Sequence, residues 1–157
     1  MVDTKIKKSI DLFIKEVDKY FEAYTQDKPV YQGIWIDVAP VARVYVRLSQ
    51  RYIVCKENNY VGLVAAFDLA GVSVYRKYQR KGFLKGIIAE LERKAYRPIL
   101  FIESIQDAGL ISKLIEMGYK QYPNDNTCVL KILRPSTNNE PRLIYKSETS
   151  FTDLPVK

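Results

Sequence analysis

The sequence predicts one α+β domain: a mixed central sheet flanked by helices, with a long helix in front. Three observations carry this. Ile6, Ile10, Phe13, Val17, Tyr20 and Tyr24 recur at spacings of four and three, one apolar stripe of helical period. Residues 31–74 are rich in β-branched and aromatic types and alternate with polar ones. Residues 68–103 read strand, glycine turn, helix, strand, the βαβ pattern that places two parallel strands side by side.

Taken in order, Asp3 or Thr4 can cap the first helix, over residues 3–24, and Pro29 lies beyond its end. The stripe spans only about three heptads, so it is expected to pack on the sheet and not to form a free coiled coil. Tyr31–Ile36 reads as a strand, Pro40 interrupts, and Arg43–Leu48 alternates. Arg51–Lys56 and Tyr60–Ala66 flank Glu57-Asn58-Asn59 as a hairpin. Asp68–Val74 follows, with Gly71 inside it; a glycine in a strand interior marks a bulge or a close backbone approach.

The helix after Gly82 sets Leu84, Ile87, Ile88, Leu91 and Ala95 on one face and stops before Pro98. Ile99–Glu103 is almost wholly apolar, as expected of a strand covered on both sides. Asp107 caps a helix over residues 108–117 that Gly118 ends, and Thr127–Leu133 is the last alternating strand. Residues 1–134 are therefore expected to form the domain, with 135–157 a polar C-terminal tail, partly disordered, in which Arg142–Tyr145 can add an edge strand.

Composition narrows function by exclusion. The chain has 157 residues, 47% apolar and 27% charged, which suits one soluble core. No apolar run approaches the roughly 20 residues of a membrane span, and residues 1–8 lack the apolar run of a secretory signal. Cys55 and Cys128 read as buried free thiols, which points to a reducing, cytoplasmic setting. Histidine is absent, so serine and cysteine triads and imidazole zinc sites are excluded and no metal is expected. The net charge of +7 favours polyanions and admits nucleic acid as a partner, and twelve tyrosines offer rings for stacking.

The stretch Val72–Leu91 holds the sharpest signal. A strand runs into a basic turn, passes Gly82 and opens at once into a helix. The first N–H groups of a helix have no internal partner and carry partial positive charge, so they hold phosphate. Arg76, Lys77, Arg80, Lys81 and Lys85 surround them.

Residues from about 60 to 133 resemble the GNAT superfamily of N-acetyltransferases. Its cofactor loop, Gln/Arg-x-x-Gly-x-Gly/Ala between a strand and a helix, corresponds to Gln79-Arg80-Lys81-Gly82-Phe83-Leu84, with Leu84 in place of the last small residue. Its second signature, a polar residue, a helix and Gly-Phe, becomes Asp107, Leu110, Gly118 and Tyr119. The resemblance implies a GNAT-like mixed sheet with splayed parallel strands and acetyl-CoA as co-substrate. The pyrophosphate would lie on the amides of Gln79, Arg80, Lys81, Gly82, Phe83 and Leu84, the pantetheine arm beside Ser73 and Val74, and Asp107 near the cofactor. It also implies direct attack by a primary amine on the thioester, with no covalent enzyme intermediate.

The base that some members carry on the strand before the loop falls at Asp68, which as a turn aspartate would have a purely structural role. Glu103 is the second candidate base. The tyrosine that many members use as acid corresponds to Leu114, which leaves Tyr119, Tyr122 or Tyr75 to replace it, or a thiolate that departs unassisted. The acceptor is a small-molecule or protein amine, or a base in nucleic acid. Two other readings stay open, a catalytically silent binding module of this fold and a nucleic-acid-binding protein. The oligomeric state is open, a dimer included.

Overall fold

The computed structural model describes residues 3–27, 33–55, 60–105, 107–122, 125–135 and 142–146. Helix α1 spans Thr4–Asp27. Asp3 caps it, its carboxylate accepting the Lys5 N–H at 2.7 Å. Ile6, Phe13, Val17 and Tyr20 of the expected stripe are buried, so the helical period was legible; the side chain of Tyr24 lies outside the described residues.

Strands β1 (Gly33–Val38), β2 (Ala42–Cys55) and β3 (Tyr60–Val74) form an antiparallel meander. Two expectations are corrected here. Arg43–Leu48 and the described part of the second segment, residues 51–55, belong to one strand, as do Tyr60–Ala66 and Asp68–Val74. The polar residues taken as breaks lie inside the ladder, because cross-strand partners satisfy them: Ser49 and Arg51 of β2 both bond Asp68 of β3. The Glu57-Asn58-Asn59 turn lies outside the described residues, and the pairing of Cys55 with Tyr60 closes the hairpin expected around it.

Helix α2 (Phe83–Lys94) returns the chain to β4 (Ile99–Ile102), whose four residues are all buried and which pairs parallel to β3, as the βαβ pattern requires. Helix α3 (Ala108–Glu116) follows. A short strand β5 (Lys120–Tyr122), not expected from residue types alone, then precedes β6 (Asp125–Ile132). Within the polar tail, β7 (Arg142–Lys146) adds to β3 antiparallel over residues 60–64. The sheet order among the described residues is β1-β2-β3-β4-β6-β5, with β7 beside β4 on the same edge of β3.

The helices share one face of this sheet. Side chains from α1, α2 and α3 join Val44, Val46, Leu48, Phe67, Leu69 and Ile102 in a single core. A second, smaller cluster on the other face (Val64, Ala66, Ile99, Phe101, Cys128, Leu130) contains only strand residues among those described. Helices α1 and α2 run side by side in the same direction. The Ile10 side chain stands where a Cβ on Gly86 would be, and about two turns further on Asp18 meets Lys94 and accepts the Tyr96 hydroxyl bond.

Candidate cofactor loop and carboxylate cluster

The loop after β3 is fixed at both ends. The Tyr75 N–H bonds the Val41 carbonyl at 2.9 Å, and Tyr78 and Phe83 are buried anchors on either side of the turn. Residues 76–78 make one 3₁₀ turn, Arg80 takes a positive φ of 61°, and Gly82 sits at φ 91°. Only glycine adopts that last conformation without cost, which explains its place in the motif. The Gln79 side-chain amide donates to the Val74 carbonyl at 3.0 Å and ties the loop to the strand end.

Helix α2 starts without a side-chain cap. Its first internal bond runs from the Gly86 N–H to the Gly82 carbonyl. The N–H groups of Arg80 through Lys85 consequently have no hydrogen-bond partner among the described residues. The space before them is open, since a Cβ built on Gly82 would meet nothing within 4 Å. Arg76, Lys77, Arg80, Lys81 and Lys85 are all exposed around it. Free amides, a helix N-terminus and unscreened cations make an anion seat.

The seat adjoins a parting of strands. Pairing of β3 with β4 runs from Ala66 opposite Ile99 to Leu69 opposite Ile102 and ends with the Glu103 N–H on the Leu69 carbonyl at 3.1 Å. Beyond it Ser104 takes a φ of 60°, and Ile105 turns away to bond Thr127. On β3, Tyr45 pairs with Gly71 and Val46 with Leu69, so Ala70 is an extra, bulged residue. A bulge lay behind the glycine expectation, one position away. Past it Gly71–Val74 pair with β2 alone among the described residues, and on the side of the gap the Val74 carbonyl is held by the Gln79 side-chain amide.

A groove of about 400 Å³ opens between α2 and α3, lined by Leu84, Ile88, Leu110, Lys113, Leu114 and Met117 among others. Leu84 and Leu114, the two departures from the GNAT pattern, thus meet in one apolar wall. Asp107 caps α3 by accepting the Gly109 N–H at 2.8 Å.

On the helix-free face, four charged side chains cross three strands. Asp68, fully buried, accepts from Arg47 Nε at 2.8 Å, Arg51 at 2.7 Å and Ser49 Oγ at 2.7 Å. Arg47 also donates to Glu103 at 2.6 Å, and the Arg51 guanidinium stacks on the Phe101 ring at 3.7 Å. Burial works against the Arg47 charge, but the hydrogen bonds and charges of Asp68 and Glu103 outweigh it and hold the guanidinium protonated beyond its ordinary range. Glu103 keeps about a fifth of its side chain in solvent at the vertex of the gap. Tyr119 is placed elsewhere: its buried hydroxyl donates to Glu92, about 13 Å along α2 from Phe83 at the rise of a helix.

Sequence reasoning brought Asp68 and Glu103 forward but missed Arg47 and Arg51. Their signal was the polar run at every second position, Arg43, Tyr45, Arg47, Ser49 and Arg51, hidden once the strand was split in two. Among the described residues no three metal-binding side chains gather, and no helix is long and apolar enough to cross a membrane.

No family model matches the sequence, and no curated protein does. Solved structures similar to it include a mutant of the AtaT toxin (TM-score 0.47, 9% identity), matched over 59% of this chain and 59% of that one. AtaT complexed with acetyl-methionyl-tRNAfMet gives a TM-score of 0.46 at 11% identity, over 59% of this chain and 62% of that one. A complex of KacTA with DNA gives 0.45 at 11% identity, over 76% and 80%. The chain thus spans about three fifths of the AtaT chain. Its own order of strand, bulge, glycine turn, helix, parallel strand, helix and antiparallel strands is a mixed α+β fold.

Proposed function

We propose that this chain is an acyltransferase that moves an acetyl group from acetyl-CoA to a primary amine. The observation that carries the reading is the row of amides from Arg80 to Lys85, without partners among the described residues, beside the gap between β3 and β4. Acetyl-CoA would supply an acetyl thioester whose carbonyl carbon an amine can attack. The loop amides and the exposed lysines and arginines suit its phosphates, the strand end at Ser73 and Val74, which pairs with no strand but β2 among the described residues, suits its amide-bearing arm, and the groove walled by Leu84 and Leu114 suits its apolar portion.

Glu103 stands at the vertex of the gap with one oxygen on Arg47 and part of its surface open, so it is the residue to take the proton that the amine sheds. Asp68 has no free surface; it fixes Arg47, which fixes Glu103, and so positions the base. In this reading the C–N bond forms as the C–S bond breaks, the proton goes to Glu103, and the thiolate leaves unassisted, because the Tyr119 hydroxyl is taken by Glu92.

Calorimetric titration with acetyl-CoA tests the seat. The wild-type chain is expected to bind, and Gly82→Asp to lose binding through its strained φ and its negative charge. Equal affinity of the two chains refutes the placement. Thiol release on a panel of amines tests turnover. Binding without release supports the silent module, which the burial of Leu114 at the family's acid position favours.

A further inference from the structure

We propose that the helix-free face carries a stacking site for single-stranded nucleic acid, built on Trp35, Tyr45 and Arg43 and distinct from the cofactor loop. Trp35 is 51% exposed although it lies within the sheet, on β1 opposite Tyr45 of β2. Two glycines leave room for the two rings. A Cβ on Gly71 of β3 would stand 3.8 Å from Trp35 Cη2. Strands β1 and β3 are about 9–10 Å apart, so the indole extends across β2 and does not stand up from the sheet. Tyr45 leans the opposite way, its Cζ 2.6 Å from where a Gly33 Cβ would be. The ring centroids lie 5.2 Å apart with their planes tilted by 47°.

Arg43 completes the site. Its guanidinium rests over the indole at 4.7 Å and, exposed, makes no hydrogen bond or ion pair among the described residues. Its donors remain available for a phosphate. An exposed indole beneath a guanidinium with unspent donors, on a chain of net charge +7, matches the needs of a single strand, whose bases stack on rings and on guanidinium planes alike.

Trp35 is the chain's one tryptophan, so its emission reports the site directly. Titrating the full chain with a short oligothymidylate is expected to quench that emission saturably, while inorganic polyphosphate leaves it unchanged. With labelled oligothymidylate, Trp35→Ala is expected to weaken binding about tenfold and Trp35→Phe to recover part of it. Arg43→Gln is expected to lower the dependence of log affinity on log salt by about one. Acetyl-CoA affinity should be untouched by Trp35→Ala, and Gly82→Asp should keep oligothymidylate binding, which separates this site from the acyltransferase reading. Absence of binding, binding without a change in emission, quenching by polyphosphate alone, or equal affinity of Trp35→Ala would each overturn the proposal.

Discussion

The Tyr119 hydroxyl donates a 2.6 Å hydrogen bond to Glu92, and the ring behind it is 1% exposed. Burial first, then the bond and charge of Glu92, push this phenol above its ordinary range; Tyr96 is raised likewise by burial and by Asp18. Both groups stay neutral in the folded chain at pH values where an unfolded chain would ionise them. Their contribution is therefore fully present below about pH 10 and is lost as pH rises beyond it. Urea unfolding across pH 8–11 should show a decline that is shallower in Tyr119→Phe. The same variant should cost about 1 kcal/mol at neutral pH and leave thiol release unchanged; a large loss of turnover would return Tyr119 to the chemistry.

Glu103→Gln separates the proposed base from its support. Glutamine can still accept from Arg47, so acetyl-CoA affinity and stability are expected to hold, while turnover falls about a hundredfold or more. An unaltered turnover would remove Glu103 from the role.

Asp68→Ala has a different expected signature. It strands three donors from Arg47, Arg51 and Ser49 around a site that is closed to water, at a cost of about 3 kcal/mol in chemical denaturation. A loss below about 0.5 kcal/mol, the range of an ordinary surface substitution, would show that the cluster relaxes onto other partners.

Gly86→Ala should destabilise despite the better helix former. Alanine gains at most about 1 kcal/mol of propensity in α2, but its Cβ meets the Ile10 side chain of α1, with Cγ1 at 3.2 Å. Overpacking of this kind costs about 1–3 kcal/mol. Adding Ile10→Ala, which makes room, should return part of the loss in a double-mutant cycle, whereas strict additivity would place the strain elsewhere.

Asp107→Ala should lower stability by about 1 kcal/mol, the usual cost of an N-cap, since its carboxylate accepts the Gly109 and Leu110 N–H groups. A change in acetyl-CoA affinity beyond that loss would give Asp107 the cofactor contact that the family resemblance implies.

Much of this was legible in one dimension. The 3.6-residue stripe of α1, the cap at Asp107, the positive-φ glycine at 82 and the parallel course of β4 are set by local chemistry, so residue types alone reveal them. The continuous β2 and β3 were not legible, because whether a polar residue breaks a strand depends on the partner it finds one strand away. Asp68 read as an equal choice of base and turn residue; only its three cross-strand donors showed that its oxygens are already committed.

By itself, then, the sequence determined the fold class, the loop with its helix N-terminus, and a chemistry that does without histidine. Those follow from periodicity, from φ restrictions and from absent side chains, which need no distant neighbours. The tertiary structure alone decided that the loop amides have no partner among the described residues, that Leu84 and Leu114 share a wall, that Arg47 joins two carboxylates, and that the Trp35 indole reaches across to Gly71. Each of these joins residues far apart in the chain, and the register, the bulge at Ala70 and the crossing of helices fix such pairs only once the sheet has formed.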